Sequence, residues 1–173
     1  YVFRRICGLG VTAIGVTSQQ IKDHGFSNRF FEIRKDIKKA ISFSTHLLIT
    51  APPNSEGCVI FNKYANEILN SNVKSIIYIS STGVYGNHNG NWVDEKSLIK
   101  ANSSYDKRRV KAEKQWKKFC IKHNINLNIV RIAGIYGPKR FINVSEKELI
   151  VVLKRNHYFS RIHILDAARL VTK

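Results

Sequence analysis

Tyr78-Ile79-Ser80-Ser81-Thr82-Gly83-Val84-Tyr85-Gly86 is the stretch on which the reading of this chain turns. The apolar run Ser75-Ile76-Ile77-Tyr78-Ile79 leads into it and reads as a buried strand. The strand ends in three consecutive hydroxyls, then a glycine-containing turn. In an open α/β sheet, ligands bind just beyond the carboxyl ends of the strands. A strand ending in Ser80-Ser81-Thr82 therefore delivers hydroxyl groups to the usual place of chemistry. The plainer reading is that these residues begin a loop and cap the next turn.

The chain has 173 residues, enough for one domain with a real core. Hydrophobic content of 43% and charged content of 24% are those of an ordinary soluble globular protein, and a cytoplasmic location is expected. No apolar run approaches the roughly 18–20 residues that span a bilayer. The start, Tyr1-Val2-Phe3-Arg4-Arg5, has no signal-peptide layout and suggests a fragment. Cys7, Cys58 and Cys120 lie far apart, which argues against a zinc site or a disulfide framework and for reduced thiols. The formal charge of +17 is the unusual quantity. The basic residues are spread out and not interleaved with aromatics. A solvated basic surface explains them best; nucleic-acid binding and attraction of a small anionic ligand remain open.

Along the chain, Val2, Phe3, Ile6 and Leu9 recur at helical spacing, with Gly8 or Gly10 as the stop. Val11 to Thr17 reads as a strand. Gly8, Gly10 and Gly15 do not make a dinucleotide loop: the third glycine is misplaced for G-x-G-x-x-G, no strand precedes, and a strand comes next where a helix is required. The first strand and its phosphate-binding loop are therefore expected to be missing. A short strand over Asn28–Ile33 and a short helix over Lys35–Ile41 come after. Next are a strand over Thr45–Thr50 stopped by Ala51-Pro52-Pro53, a helix over Val59–Leu69, and the opening strand. A helix from about Tyr105 to His123, capped by Ser103 or Ser104, has Val110, Trp116, Phe119 and Cys120 as core candidates. A strand over Asn126–Ile132, a helix over Glu146–Lys154, a short strand over Ser160–Ile164 and a helix from Leu165 complete the chain. This alternation predicts an α/β fold: a single Rossmann-like, doubly wound parallel sheet over 1–173, with helices on both faces and incomplete at both ends.

Tyr105 and Arg109 stand four apart and share one face of the predicted helix. A cation beside a phenol favours phenolate, and such a phenol exchanges protons with a hydroxyl near neutral pH. A nearby Ser hydroxyl would hydrogen-bond the same substrate oxygen. Hydride transfer between an alcohol and a nicotinamide needs that trio.

The sequence resembles the extended short-chain dehydrogenase/reductase family, in its NAD(P)-dependent epimerase/dehydratase group, and looks closest to the YeeZ-like branch. Ser80-Ser81-Thr82-Gly83-Val84-Tyr85-Gly86 matches the Ser-Ser-x-x-Val-Tyr-Gly signature, and Trp92-Val93-Asp94-Glu95 the acidic turn after it. Tyr105-x-x-x-Arg109-x-x-Ala112-Glu113 sits where the family has Tyr-x-x-x-Lys-x-x-Ala-Glu. Arg131 to Pro138 matches Arg-x-x-x-x-Tyr-Gly-Pro, Arg161 to Ala168 resembles a late His-Val-x-Asp-x-Ala motif, and Ala51-Pro52-Pro53 resembles a turn of the YeeZ-like branch. The resemblance implies an oxidoreductase using NAD or NADP on a sugar nucleotide or similar hydroxyl or carbonyl substrate. It implies Ser81, Tyr105 and Arg109 as catalytic residues. Thr17 and Ser18 would lie at the adenosine ribose, Ala51 and Pro52 along the dinucleotide, and Ala133, Gly134 and Ile135 near the nicotinamide. For His163 and Asp166 a structural reading is as strong as a functional one, and His88 reads as a loop residue rather than a ligand. A nucleic-acid partner and a membrane are not expected, and a homodimer is left open.

Arg109 departs from the family's Lys; it keeps the charge but is larger and planar. Without the Gly-rich loop, the helix N-terminus that holds a pyrophosphate is lacking. Thr17-Ser18-Gln19 has neither the acid that selects NAD nor the Arg that selects NADP. Dinucleotide binding is therefore expected to be impaired. Two other classes remain open: a non-catalytic Rossmann-like binding domain and a basic nucleic-acid-binding fragment.

Overall fold

The computed structural model describes residues 1–17, 30–32, 37–138 and 158–173. The expected helix over 146–154 and the candidate Ser18 lie outside the described residues. The element order is α1 (Val2–Gly8), β1 (Gly15–Thr17), β2 (Phe30–Glu32), α2 (Ile37–Phe43), β3 (His46–Ile49), α3 (Val59–Leu69), β4 (Ser75–Ser81), a 3-10 turn (Thr82–Tyr85), α4 (Ser104–His123), β5 (Asn126–Ile132), β6 (Gly134–Tyr136), β7 (Arg161–His163) and α5 (Ile164–Val171). All strand pairs among the described residues are parallel, as the alternation requires.

Those pairs form three hydrogen-bonded groups, β1–β2, β3–β4–β5 and β6–β7, rather than one unbroken ladder. The central group decides the site. β4 pairs on both edges, Ile49 with Tyr78 on one side and Ser81 with Ile132 on the other. Parallel pairing in register sends the carboxyl ends of β3, β4 and β5 to one edge of the sheet.

The Gly8–Gly10 question resolves at the end of α1. Gly10 has φ 78, Val11 N–H donates to the Ile6 carbonyl at 3.3 Å and Gly10 N–H to that of Cys7 at 3.1 Å. That pair of bonds is a Schellman closure, and Gly10 occupies its left-handed position. The glycines end a helix. The closure also corrects the expected strand over Val11–Thr17: the backbone is still leaving the helix at Val11, and pairing begins only at Gly15.

β4 alternates, with Ile76, Tyr78 and Ser80 buried and Ser75, Ile77, Ile79 and Ser81 half-buried. The buried face meets α2, α3 and α4 in one apolar cluster containing Ile41, Ile49, Tyr64, Ile68, Ile76, Tyr78, Ala112, Trp116 and Cys120. Trp116 is its centre: fully buried, edge-on to Phe61 at 5.1 Å and to Phe119 at 6.0 Å. Of the expected core positions on α4, Trp116 and Cys120 are buried, and Val110 and Phe119 are half-buried. Burial pushes the Cys120 thiol up to about 11. Gln115 binds α4 to the start of α3, accepting from the Cys58 N–H at 2.8 Å and donating to the Asn62 side chain at 2.8 Å. α1 and α5 pack together, with Arg5 Nε donating to Thr172 Oγ1 at 2.8 Å.

Trp116→Ala is expected to cost about 3–5 kcal/mol, read from urea denaturation, because the ring fills a fully enclosed site at the junction of three elements.

Candidate functional site

Ser81 is the last residue of β4 and also the cap of the 3-10 turn Thr82–Tyr85, its Oγ accepting from the Gly83 N–H at 3.1 Å. The capping role and the site position thus belong to the same side chain. Accepting from Gly83 leaves the Ser81 O–H free to donate elsewhere.

α4 begins where this turn ends up. Ser103 caps it, accepting from the Asp106 N–H at 3.0 Å, and donates its own hydroxyl to Asp106 Oδ2 at 2.5 Å. A Cβ on Gly83 would collide with Asp106 Oδ1. Glycine at 83 therefore lets the turn lie directly against the first turn of α4.

Tyr105 and Arg109 are one helical turn apart there. Arg109 Nη2 donates to Tyr105 Oη at 2.9 Å, and its guanidinium lies 5.0 Å from the Tyr105 ring centroid. Arg109 Nη1 donates to the Ile79 carbonyl at 3.2 Å. One guanidinium thus joins the phenol to β4 two residues before Ser81, while Gly83, two residues after Ser81, abuts Asp106. Ser81 is held between these contacts beside the start of α4. Tyr105 is half-exposed.

A second guanidinium lies beneath. Arg131 on β5 donates from Nε to Glu113 Oε1 at 3.1 Å, from Nη2 to Glu113 Oε2 at 2.7 Å, and from Nη1 to Tyr85 Oη at 3.0 Å. It also stacks on the Tyr85 ring at 4.8 Å. The Glu113 side chain is 2% exposed and that of Arg131 11%. The Glu113 carboxylate, then desolvation opposing it, then Tyr85 leave the Arg131 guanidinium held above its usual value. Sequence reading assigned no role to this trio. The signal was present: a charge at an inward position of α4, between Ala112 and Trp116, and another near the end of the otherwise apolar second half of β5.

Among the described residues, Tyr78 Oη and Ser80 Oγ, on the buried face of β4, and Arg109 Nε have no hydrogen-bond partner. Burial, the largest cause, raises the Tyr78 phenol well above its ordinary value, so it stays neutral.

Of the cofactor candidates, Ala51 and Pro52 follow β3 and Ala133 follows β5, at the same sheet edge as Ser81. Gly134 and Ile135 lie on β6, paired with Arg161 and Ile162. Thr17 ends β1, and no ladder joins β1 to β3 among the described residues. His163 caps α5, its Nδ1 accepting from the Leu165 N–H at 3.4 Å; Asp166 pairs with Arg169 at 3.1 Å; His88 Nε2 lies 3.1 Å from the Leu98 carbonyl oxygen. In the acidic turn, the Ser97 hydroxyl lowers the Asp94 carboxyl.

The NAD dependent epimerase/dehydratase family model matches residues 58–169, well over half of the chain. The chain belongs to that family. A conserved protein from Silicibacter pomeroyi DSS is 28% identical with a TM-score of 0.85, over 99% of this chain and 62% of its own length. MoeE5 in complex with UDP-glucuronic acid and NAD is 15% identical with a TM-score of 0.76, over 99% of this chain and 66% of its own. UDP-N-acetylglucosamine 4-epimerase from Methanobrevibacter ruminantium M1 is 14% identical with a TM-score of 0.71, over 98% and 67%. These neighbours share the Rossmann-like fold, and the chain spans about two-thirds of their length. No curated protein matches the sequence. Among the described residues, no helix is long and apolar enough to cross a membrane.

Gly83→Ala is expected to push Asp106 from its cap and lower stability by about 1–3 kcal/mol, against about 1 kcal/mol for Ser103→Ala; urea melts of both variants check the order.

Proposed function

We propose that the chain is the greater part of an NAD-dependent oxidoreductase domain that exchanges a proton and a hydride with a hydroxyl carbon of a sugar nucleotide. The observation that carries this reading is the bond from Arg109 Nη2 to Tyr105 Oη, made beside the carboxyl end of β4, where Ser81 ends the strand. Membership of the epimerase/dehydratase family and the ligands of MoeE5 support the cofactor and the substrate class.

The residues present fit one half of such a cofactor. Among the described residues, Arg109 makes one hydrogen bond from each of Nη1 and Nη2, leaving one N–H on each, and Tyr105 is half-exposed, which suits a ribose hydroxyl and a reacting oxygen. The pyrophosphate half has no cradle among the described residues. Gly8 and Gly10 close the C-terminal end of α1, where the helix dipole is unfavourable to an anion.

Each side chain then has one task. Tyr105 Oη takes the proton of the substrate hydroxyl when it starts as the phenolate, and as the neutral phenol it returns that proton in the reverse direction. Arg109, bonded through Nη2 to Tyr105 Oη, places its positive charge against the oxygen that exchanges the proton. Ser81, its lone pair engaged by Gly83, directs its O–H to the substrate oxygen and orients it. When bound, NAD supplies the acceptor for the hydride. The non-catalytic reading draws on a different observation: Arg109, where the family carries Lys, spends part of its fork on the Ile79 carbonyl.

For the 173-residue chain, calorimetric titration is expected to find NAD binding weaker than the low micromolar range, because the described residues offer no phosphate cradle. At saturating NAD, chromatographic conversion of UDP-glucuronic acid or UDP-N-acetylglucosamine, either to the 4-epimer or to an oxidised product with stoichiometric reduced nicotinamide, reports turnover. Tyr105→Phe is expected to lower the rate by about 10²–10⁴-fold and Ser81→Ala by a smaller factor. No turnover by the wild type or by Arg109→Lys overturns the enzymatic reading in favour of a binding domain.

A further inference from the structure

We propose that Tyr85, Arg131 and Glu113 are positioning residues that set the separation between the Ser81 hydroxyl and the Tyr105 phenol. The proposal rests on the oxidoreductase reading for its purpose, and on geometry alone for its substance.

Ser81 and Tyr105 reach the site on different elements. Ser81 is carried by β4 and the turn Thr82–Tyr85, and Tyr105 by α4. No covalent route shorter than the 82–104 segment connects them, and that segment includes an exposed loop. Their relative position therefore depends on tertiary contacts. Arg131 touches both carriers from the buried side. It stands opposite Ser80 in the β4–β5 register, one residue before the partner of Ser81. From there it donates twice to Glu113 on α4 and once to Tyr85 at the end of the turn. The guanidinium fork is planar and rigid, so its donors leave at fixed angles. Glu113 is two helical turns beyond Tyr105, and the 20-residue helix, packed into the core through its own Trp116, transmits its placement to its first turn. A lysine at 131 would keep the charge and lose the fork. A well-packed apolar trio would serve stability as well or better; what it would not supply is a defined angle between turn and helix.

The test uses two gentle variants and a control. Tyr85→Phe keeps the ring under the guanidinium and removes only the hydroxyl. Glu113→Gln keeps a carbonyl acceptor and removes the charge. Tyr64→Phe deletes a phenol on α3, away from the trio. Two local probes are read: amide hydrogen exchange at Gly83, whose N–H is bound to Ser81, and the 19F resonance of Tyr105 in 3-fluorotyrosine-labelled chain, assigned by Tyr105→Phe. Both variants are expected to speed Gly83 exchange roughly tenfold or more while the Ile77 and Ile79 amides keep their rates. Both are expected to shift the Tyr105 resonance, and Tyr64→Phe to leave both probes unchanged. Wild-type probes in both variants overturn the proposal. So does a uniform acceleration of all amides, which marks general stabilisation. Shifted probes in a chain that shows no turnover support the positioning role and count against the oxidoreductase reading alone.

Discussion

β4 is paired on both edges, and the site depends on that pairing. A strand hydrogen-bonded to neighbours on each side cannot slide by one residue without breaking two ladders and turning Ile76 and Tyr78 out of the core. Ser80 and Ser81 consequently face opposite ways with no freedom to exchange. Ser80 is committed to the buried face, where its hydroxyl finds no partner among the described residues, and Ser81 to the face that leads into the turn. The register also aligns the ends of β3 and β5 with the end of β4, so Ala51 and Ala133 arrive at the same edge.

Two guanidiniums then attach α4 to this sheet at different depths. Arg109 works near the surface, between an open phenol and a strand carbonyl. Arg131 works in the interior, against a carboxylate with almost no access to water. A buried ion pair recovers its desolvation cost only with good geometry and satisfied hydrogen bonds. Arg131 and Glu113 meet both conditions on three donor atoms. Arg109 does not: its Nε is buried without a partner among the described residues. The inner pair is built for definition, and the outer cation, among the described residues, leaves one N–H on each of Nη1 and Nη2.

The family relationship and the chemistry carry different weight. Membership rests on the match over residues 58–169 and agrees with the fold. The proposed activity rests on three side chains in a chain about two-thirds as long as its structural neighbours.

Much of this was legible in the residues. Alternation of apolar strands and amphipathic helices determined the α/β class, and the end of β4 and the start of α4 follow from local signals: hydroxyls ending a strand and a serine cap. Tyr105 and Arg109 were legible as a pair because helical spacing is a local property. The Schellman closure at Gly10 was only half legible, since periodicity marked the helix stop but could not say that pairing waits until Gly15. The Arg131–Glu113–Tyr85 trio was not assembled at all. Its members are separated by 18 and 46 positions, and sequence spacing carries no information on which inward charge meets which. Likewise, nothing local tells that Arg109 reaches the Ile79 carbonyl. The sequence by itself determined which elements form and which residues each presents on a given face, because those depend on neighbours a few positions away. Only the tertiary structure decided how the strand with Ser81 and the helix with Tyr105 are held together, because that depends on contacts between distant charges buried from water.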